Sequence, residues 1–233
     1  VPSIAPLNIH PSQLPKWRGS SPGQFALLFN ETNSAVTLMV MDSKLDHGPI
    51  IHQDFFTVDQ TWDQSDYYAH AFDLMCTNLD TKIATFAEKY TNPKTKHEAC
   101  TQQPDASPTI TAKLISKDET FISWDYIKKA LEGLFPEKNG EMLDENELKN
   151  SQLSIVLQEA VLKNQSVPLT IERATKAFAN WPQVWTLVKT NQGEKRMKLL
   201  NAEYKSGKLI LLSVQIEGKN PTSWNDVRNS ILD

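Results

Sequence analysis

The sequence has few cysteines and no long apolar run. It contains two cysteines in 233 residues, and no apolar stretch approaches the roughly 20 residues that span a bilayer. Cys76 falls in a helical pattern and Cys100 in a polar segment, which favours a reducing compartment and argues against a disulfide scaffold. Residues 1–7 contain proline and lack a basic start, unlike a secretory signal peptide. We therefore expect a soluble, cytoplasmic chain without membrane contact.

An excess of charge of one sign is also absent. The chain has 24 Lys and Arg against 28 Asp and Glu, a net charge of -4, which gives no general case for nucleic-acid binding. The distribution is uneven, because residues 1–112 carry 7 basic and 12 acidic side chains, whereas residues 169–233 carry 10 and 6. The basic final segment fits a surface for a phosphate backbone and fits an ordinary solvated surface equally well.

The stretch LNIHPSQLPKWRG, residues 7–19, opens with a predicted short strand. Side chains alternate along a strand, so Asn8 and His10 project from the same face. Pro11 ends the strand, and Ser21-Pro22 is a typical helix start. A strand end that leads through a loop into a helix is where open α/β sheets bind ligands.

A second stretch, residues 35–51, also has a predicted strand that leads into a polar turn. The run AVTLMVM at residues 35–41 predicts a buried strand, and a polar turn with Asp46 leads through Gly48 into another apolar run. If the two strands pair, Asp46 lies near Asn8 and His10. Such a trio suits attack by an amine on an activated acyl group: the Asp accepts the proton, an imidazolium stabilises the oxyanion, and the amide orients the carbonyl. On pattern alone, an Asn-x-His pair is more often a structural pair than a site.

These motifs also carry a family resemblance. NIHPSQLPKWRGSSP followed by VTLMVMDSKLDHGPII resembles the methionyl-tRNA formyltransferases of the formyltransferase superfamily. Their pattern is Asn-x-His-x-Ser-Leu-Leu-Pro, a basic or aromatic pair, Arg-Gly and a later LD-x-G turn. The resemblance implies 10-formyltetrahydrofolate as co-substrate and no metal. It implies catalytic roles for Asn8, His10 and Asp46, and contact with the folate for Ser12, Gln13, Leu14 and Pro15.

The chain departs from the family pattern at two positions. Gln13 stands where the family usually has Leu, which changes an apolar contact of the folate loop. His47 stands where a small residue, often Thr, is usual, and it alters the proton chemistry beside Asp46.

The remaining chain predicts helices first and strands later. A spacing of three and four predicts one long helix over residues 65–90 that covers the sheet. Its predicted buried face consists of Ala69, Phe72, Met75, Cys76, Leu79, Ile83, Phe86 and Ala87. Residues 91–112 predict a linker, and the acidic residues 132–149 a solvated loop or exposed helix. Helices are predicted over 124–134, 153–162 and 171–178.

Three β-like runs at residues 184–189, 197–204 and 209–217, with a terminal helix at 224–232, suit a small barrel of the OB type. The fold class is therefore α/β: residues 1–90 form an incomplete Rossmann-like formyltransferase domain. After the linker at 91–112, residues 113–233 form an OB-like tRNA-binding domain with a helical insertion.

The second half extends the resemblance through QQPDASPTITAKLISKDETFISW and IERATKAFANWPQVWT. Because sugar and purine-pathway members of the superfamily generally lack such a tail, it implies initiator methionyl-tRNA as the formyl acceptor, with no obligate protein partner evident. Two alternatives stay open: a sugar-nucleotide or glycinamide-ribonucleotide formyltransferase, and a non-catalytic RNA-binding protein.

The resemblance also places Asn8 and His10 in the middle of the family's catalytic domain, after βα units that this sequence does not contain. We therefore expect an unpaired sheet edge, with low solubility or no activity for this chain alone.

Overall fold

The computed structural model describes residues 4–135, 148, 151 and 153–232. Most of the predicted acidic stretch at 132–149 therefore lies outside the described residues. The chain divides into two units, the first comprising Val1–Ala26 and Glu31–Leu114 and the second Leu27–Asn30 and Ile115–Asp233. The predicted linker at 91–112 lies within the first unit.

The first unit is built on a three-stranded antiparallel sheet. Its strands β1 (Leu7–His10), β2 (Asn33–Val40) and β3 (Ile50–Thr57) lie in the order β1-β2-β3. The central strand β2 pairs on both sides, so most of its residues are buried, as expected for an apolar run. Helix α1 (Pro22–Leu28) begins where Ser21-Pro22 predicts.

Two helices, and not one, follow the sheet: α2 (Gln64–Cys76) and α3 (Leu79–Thr91). The prediction of a single helix over 65–90 is therefore wrong. Asn78 adopts a left-handed conformation with φ of 57°, which Asn tolerates better than most residues and which ends the helical run. The apolar spacing continues across this break, which is why the pattern conceals it.

The predicted buried face is correct at Met75 and Phe86 and wrong at four other positions. Helix α2 buries Tyr67, Ala71 and Met75, which lie four residues apart, and α3 buries Phe86. Met75 and Ala71 pack with Val36 and Leu38 of β2. By contrast, four predicted core positions are exposed: Ala69, Phe72, Cys76 and Ile83.

The second unit contains helices α4 (Trp124–Glu132), α5 (Ile155–Asn164) and α6 (Val167–Ala177). Its sheet combines β4 (Val184–Thr190), β5 (Gly193–Lys205), β6 (Lys208–Ile216), β7 (Thr222–Ser223) and β8 (Ile231–Leu232). The order is β7-β6-β5-β4-β8, and every neighbouring pair is antiparallel. Strands β7 and β8 lie at opposite edges, so the closed barrel is not confirmed.

The predicted terminal helix is also wrong. Helix α7 covers only Trp224–Val227, a 3-10 turn follows at Arg228–Ser230, and the chain then enters β8. Ile231 pairs with Thr190 of β4, so sheet pairing replaces the last helical turn. In the part of the chain that the structure describes, no helix has the length and apolarity to cross a membrane.

Candidate active site

Strand β1 presents the first two predicted site residues. Asn8 pairs with Met39 and His10 with Thr37 in the register of β1 and β2, so both side chains leave the same face two residues apart. The His10 ring is buried, whereas Asn8 is half-buried.

The turn between β2 and β3 supplies the third residue. Asp46 has a φ of 48°, an uncommon left-handed conformation for a residue with a side chain. Its Oδ1 atom lies 3.5 Å from Asn8 Nδ2 and 3.6 Å from His10 Nδ1. Its other oxygen, Oδ2, accepts a hydrogen bond of 3.0 Å from the backbone N–H of Gly19. One carboxylate oxygen thus faces both the amide and the imidazole.

The tautomer of His10 follows from its second nitrogen, and its protonation state follows from burial. His10 Nε2 lies 3.0 Å from the carbonyl oxygen of Trp17, which can only accept, so Nε2 carries a hydrogen. A neutral ring therefore turns the lone pair of Nδ1 towards Asp46. Burial lowers the pKa of His10 below its usual value of 6.5, although the Asp46 charge and the Trp17 carbonyl oppose this effect. The neutral imidazole is the favoured form near pH 7.

This environment gives a prediction for pH. Between the lowered pKa of folded His10 and 6.5, the unfolded chain binds more protons than the folded chain. The contribution of His10 to stability is therefore complete above pH 6.5 and decreases as pH falls through that window. We expect the NMR titration of the His10 ring, assigned with a His10→Gln variant, to have its midpoint below 6.5. A midpoint at or above that value would contradict the buried neutral ring.

The four predicted folate contacts separate into two pairs. Ser12 and Leu14 are buried. Ser12 Oγ donates to the carbonyl of Lys16 at 2.8 Å, so its hydroxyl holds the loop itself. Gln13 and Pro15 are half-buried, and they are the two of the four whose side chains reach the surface. The loop is also tied to the sheet, since Gln53 Nε2 donates to the carbonyl of Leu14 at 3.0 Å.

His47 lies outside the trio and joins two carboxylates. Its Nδ1 lies 3.0 Å from Asp42 and its Nε2 lies 3.2 Å from Asp105. The hydrogen bond to His47 lowers the pKa of Asp42, and the hydrogen bond to Lys44 is the main cause of the lowered pKa of Asp105. Because carboxylates only accept, both contacts are complete only when the ring carries two protons. His47, a departure from the family pattern, thus contacts Asp42 within the turn and Asp105 outside it.

Other contacts of the site were missed by sequence reasoning. Gly19 binds the Asp46 carboxylate through its backbone, which the Arg-Gly motif does not reveal. Gln103 binds the carbonyl of Asp46 although it lies 57 residues away in the predicted linker, and no periodicity there signals it. Among the described residues, no group of three or more His, Cys, Asp or Glu side chains could hold a metal ion.

Comparison with known sequences identifies relatives of this chain. Residues 2–76 match the family described as formyl transferase. The methionyl-tRNA formyltransferase of Prochlorococcus marinus (strain MIT 9215) is 25% identical over 224 residues, which cover 94% of this chain and 64% of the relative. The methionyl-tRNA formyltransferase of Magnetococcus marinus is 33% identical over 143 residues, which cover 58% of this chain and 42% of the relative. The chain thus spans less than two thirds of the length of these relatives. The resemblance inferred from the motifs is confirmed.

Solved structures show the same fold at lower identity. A methionyl-tRNA formyltransferase from Clostridium thermocellum superposes with a TM-score of 0.53 and 15% identity, covering 92% of this chain and 69% of that chain. HypX from Aquifex aeolicus, in complex with tetrahydrofolic acid, superposes with a TM-score of 0.52 and 13% identity, covering 95% of this chain and 34% of HypX. Both likenesses show an α/β formyltransferase fold of sheets and helices.

Proposed function

We propose that the full-length product containing this chain, whose residues 2–76 match the family described as formyl transferase, transfers a formyl group from 10-formyltetrahydrofolate to the amino group of initiator methionyl-tRNA. The reaction belongs to translation initiation in the cytoplasm. The observation that carries formyl transfer is the single Asp46 oxygen faced by Asn8 at 3.5 Å and by His10 at 3.6 Å.

The residues present fit the folate co-substrate. When bound, 10-formyltetrahydrofolate supplies the activated formyl group. Gln13 and Pro15, which are half-buried, would contact it, whereas Ser12 and Leu14 are buried and support the loop from within. The trio of an amide, a neutral imidazole and one carboxylate matches an acyl transfer to an amine.

Each member of the trio has a separate task. Asp46 accepts the proton that the amine loses when its nitrogen attacks the formyl carbon. His10, whose Nδ1 lone pair faces the same oxygen, takes up that proton, and the positive charge of the ring stabilises the developing oxyanion. As the bond between the formyl carbon and N10 of the folate breaks, the ring would return the proton to N10, so that tetrahydrofolate leaves as a neutral amine. The Asn8 amide orients the formyl oxygen. The imidazolium thus forms during the reaction, and need not exist in the resting site.

The second unit supports an RNA acceptor. Arg196 lies 4.5 Å from the Trp185 ring, and Lys117 lies 4.9 Å from the Trp181 ring. Cations beside aromatic rings suit a surface that meets phosphates and stacks on unpaired bases. Relatives named methionyl-tRNA formyltransferase that align along 94% of the chain point to the same acceptor.

The acceptor is tested by direct competition. The chain and the full-length product of its gene are each incubated with 10-formyltetrahydrofolate and an equimolar mixture of three acceptors: initiator methionyl-tRNA, an amino-sugar nucleotide and glycinamide ribonucleotide. We expect formyl-methionyl-tRNA to be the main product detected by mass spectrometry. Preference for either small acceptor would overturn the tRNA assignment. Binding of tRNA without turnover by the full-length product would favour the non-catalytic alternative.

A further inference from the structure

Asp46 sits in a turn that needs support from elsewhere in the chain. Residues 41–49, between β2 and β3, form no helix or strand, and their apolar side chains Met41 and Leu45 are 50% and 64% exposed. The left-handed backbone of Asp46 is a conformation that persists only where surrounding contacts hold it. A catalytic carboxylate in such a turn must be positioned by partners outside it.

Gln103 provides that support. Its side chain is buried, and its Nε2 donates to the carbonyl of Asp46 at 3.1 Å and to the carbonyl of Gly48 at 2.7 Å. The two hydrogens of one amide group therefore hold the turn on both sides of residue 47. The contact fixes the backbone from which the Asp46 carboxylate projects.

Arg18 fixes Gln103 in turn. Gln103 Oε1 accepts from Arg18 Nε at 3.2 Å and from Arg18 Nη2 at 3.0 Å. The same guanidinium donates to the carbonyls of Pro104 at 2.6 Å and Asp105 at 2.9 Å. An arginine only donates and the two turn carbonyls only accept, so the amide of Gln103 fits in one orientation alone. If the amide group of Gln103 were rotated by 180°, its NH2 would face the Arg18 guanidinium, and its oxygen would face the two carbonyls of the turn.

The residue after Arg18 completes the arrangement. Gly19 donates its N–H to Asp46 Oδ2 at 3.0 Å, and the carbonyl of Arg18 accepts from Ala112 N at 2.8 Å. Arg18-Gly19 thus restrains Asp46 twice, at the carboxylate directly and at the backbone through Gln103.

We propose that Gln103, held by Arg18, is the positioning residue that sets the Asp46 carboxylate against Gly19, Asn8 and His10. Its side chain contacts the backbone of the turn and Arg18, and it acts through Asp46. Its effect on turnover rests on the proposed formyl transfer, but its effect on the Gly19 contact does not. The residue has a matched neighbour, Gln102, which is exposed.

The first measurement is the amide proton shift of Gly19 in the 233-residue chain by NMR. A hydrogen bond to a carboxylate moves an amide proton downfield, and an Asp46→Ala variant, which removes the acceptor, identifies this contribution. We expect Gln103→Leu and Gln103→Glu to move the Gly19 signal upfield, and Gln102→Leu to leave it in place. In Gln103→Glu the Arg18 contact is kept, while a carboxylate oxygen faces the two turn carbonyls. This variant keeps the test valid if Gln103→Leu does not fold.

The second measurement is turnover by the full-length product. Misplacement of a catalytic group by about 1 Å costs on the order of 100-fold, so we expect kcat to fall by about 10- to 100-fold in Gln103→Glu, with KM for 10-formyltetrahydrofolate changed far less. An unmoved Gly19 signal in folded Gln103→Glu, or unchanged kcat, would overturn the positioning role. A moved Gly19 signal in a protein without formyl transfer would support positioning and overturn the proposed function alone.

Discussion

Replacing Asp46 by asparagine removes formyl transfer while leaving the fold in place. In the structure, the Gly19 N–H donates to Asp46 Oδ2 at 3.0 Å. Asparagine keeps an oxygen that can accept this hydrogen bond, so the turn retains the contact. It cannot take up the proton that the attacking amine loses. General-base catalysis contributes about 100- to 10,000-fold, so we expect kcat to fall by about 1,000-fold in the full-length product. Formylation of methionyl-tRNA under saturating 10-formyltetrahydrofolate measures this loss.

Asp42 offers a matched control for that experiment. It lies in the same turn, and its carboxylate contacts His47 and the backbone N–H of Lys44, not Asn8 or His10. We expect Asp42→Asn to keep most of the activity. Near-normal kcat in Asp46→Asn, or an equal loss in both variants, would contradict the assignment of Asp46 as the base. Thermal unfolding of both variants separates a lost base from a lost fold.

Local patterns predicted the part of the site that depends on neighbouring residues. Period-two alternation places Asn8 and His10 on one face whatever the rest of the chain does, and the apolar run before Asp46 predicts the strand that pairs with them. The shared oxygen of Asp46 depends on a left-handed turn residue and on Gly19, which are set by tertiary contacts. Gln103 could not be identified, because 57 residues separate it from Asp46 in sequence.

The errors in the fold have a similar origin. The apolar spacing of α2 runs through Asn78 into α3, so only the backbone of that one residue reveals two helices. Phe72 and Ile83 keep the period of a buried face yet are exposed, because the pattern says which face is apolar and not what packs on it. Strands β7 and β8 have two residues each, too few for any periodicity to predict their pairing.

Gly48 gives the prediction with the largest effect on stability. A Cβ atom at this position would lie 1.8 Å from the carbonyl oxygen of Val40 and 3.2 Å from the backbone nitrogen of Asp42. The Val40 carbonyl belongs to the paired end of β2, opposite Leu7, so relief requires backbone movement in the sheet. Overpacking a rigid site costs about 1 to 3 kcal/mol and occasionally more, so we expect Gly48→Ala to lose about 3 kcal/mol of unfolding free energy. Hydrogen exchange of the β2 amides measures this loss within the first unit.

The control for Gly48 is Gly218, where an added Cβ meets no atom within 4 Å although φ is 79°. Gly218→Ala reports the cost of a left-handed alanine alone, about 1 to 2 kcal/mol, measured by the same exchange method on β6. A smaller loss in Gly48→Ala than in Gly218→Ala would show that the turn adapts to the methyl group. In that case the turn that carries Asp46 is not held by the close approach to Val40, and the contacts of Gln103 and Gly19 carry more of its positioning.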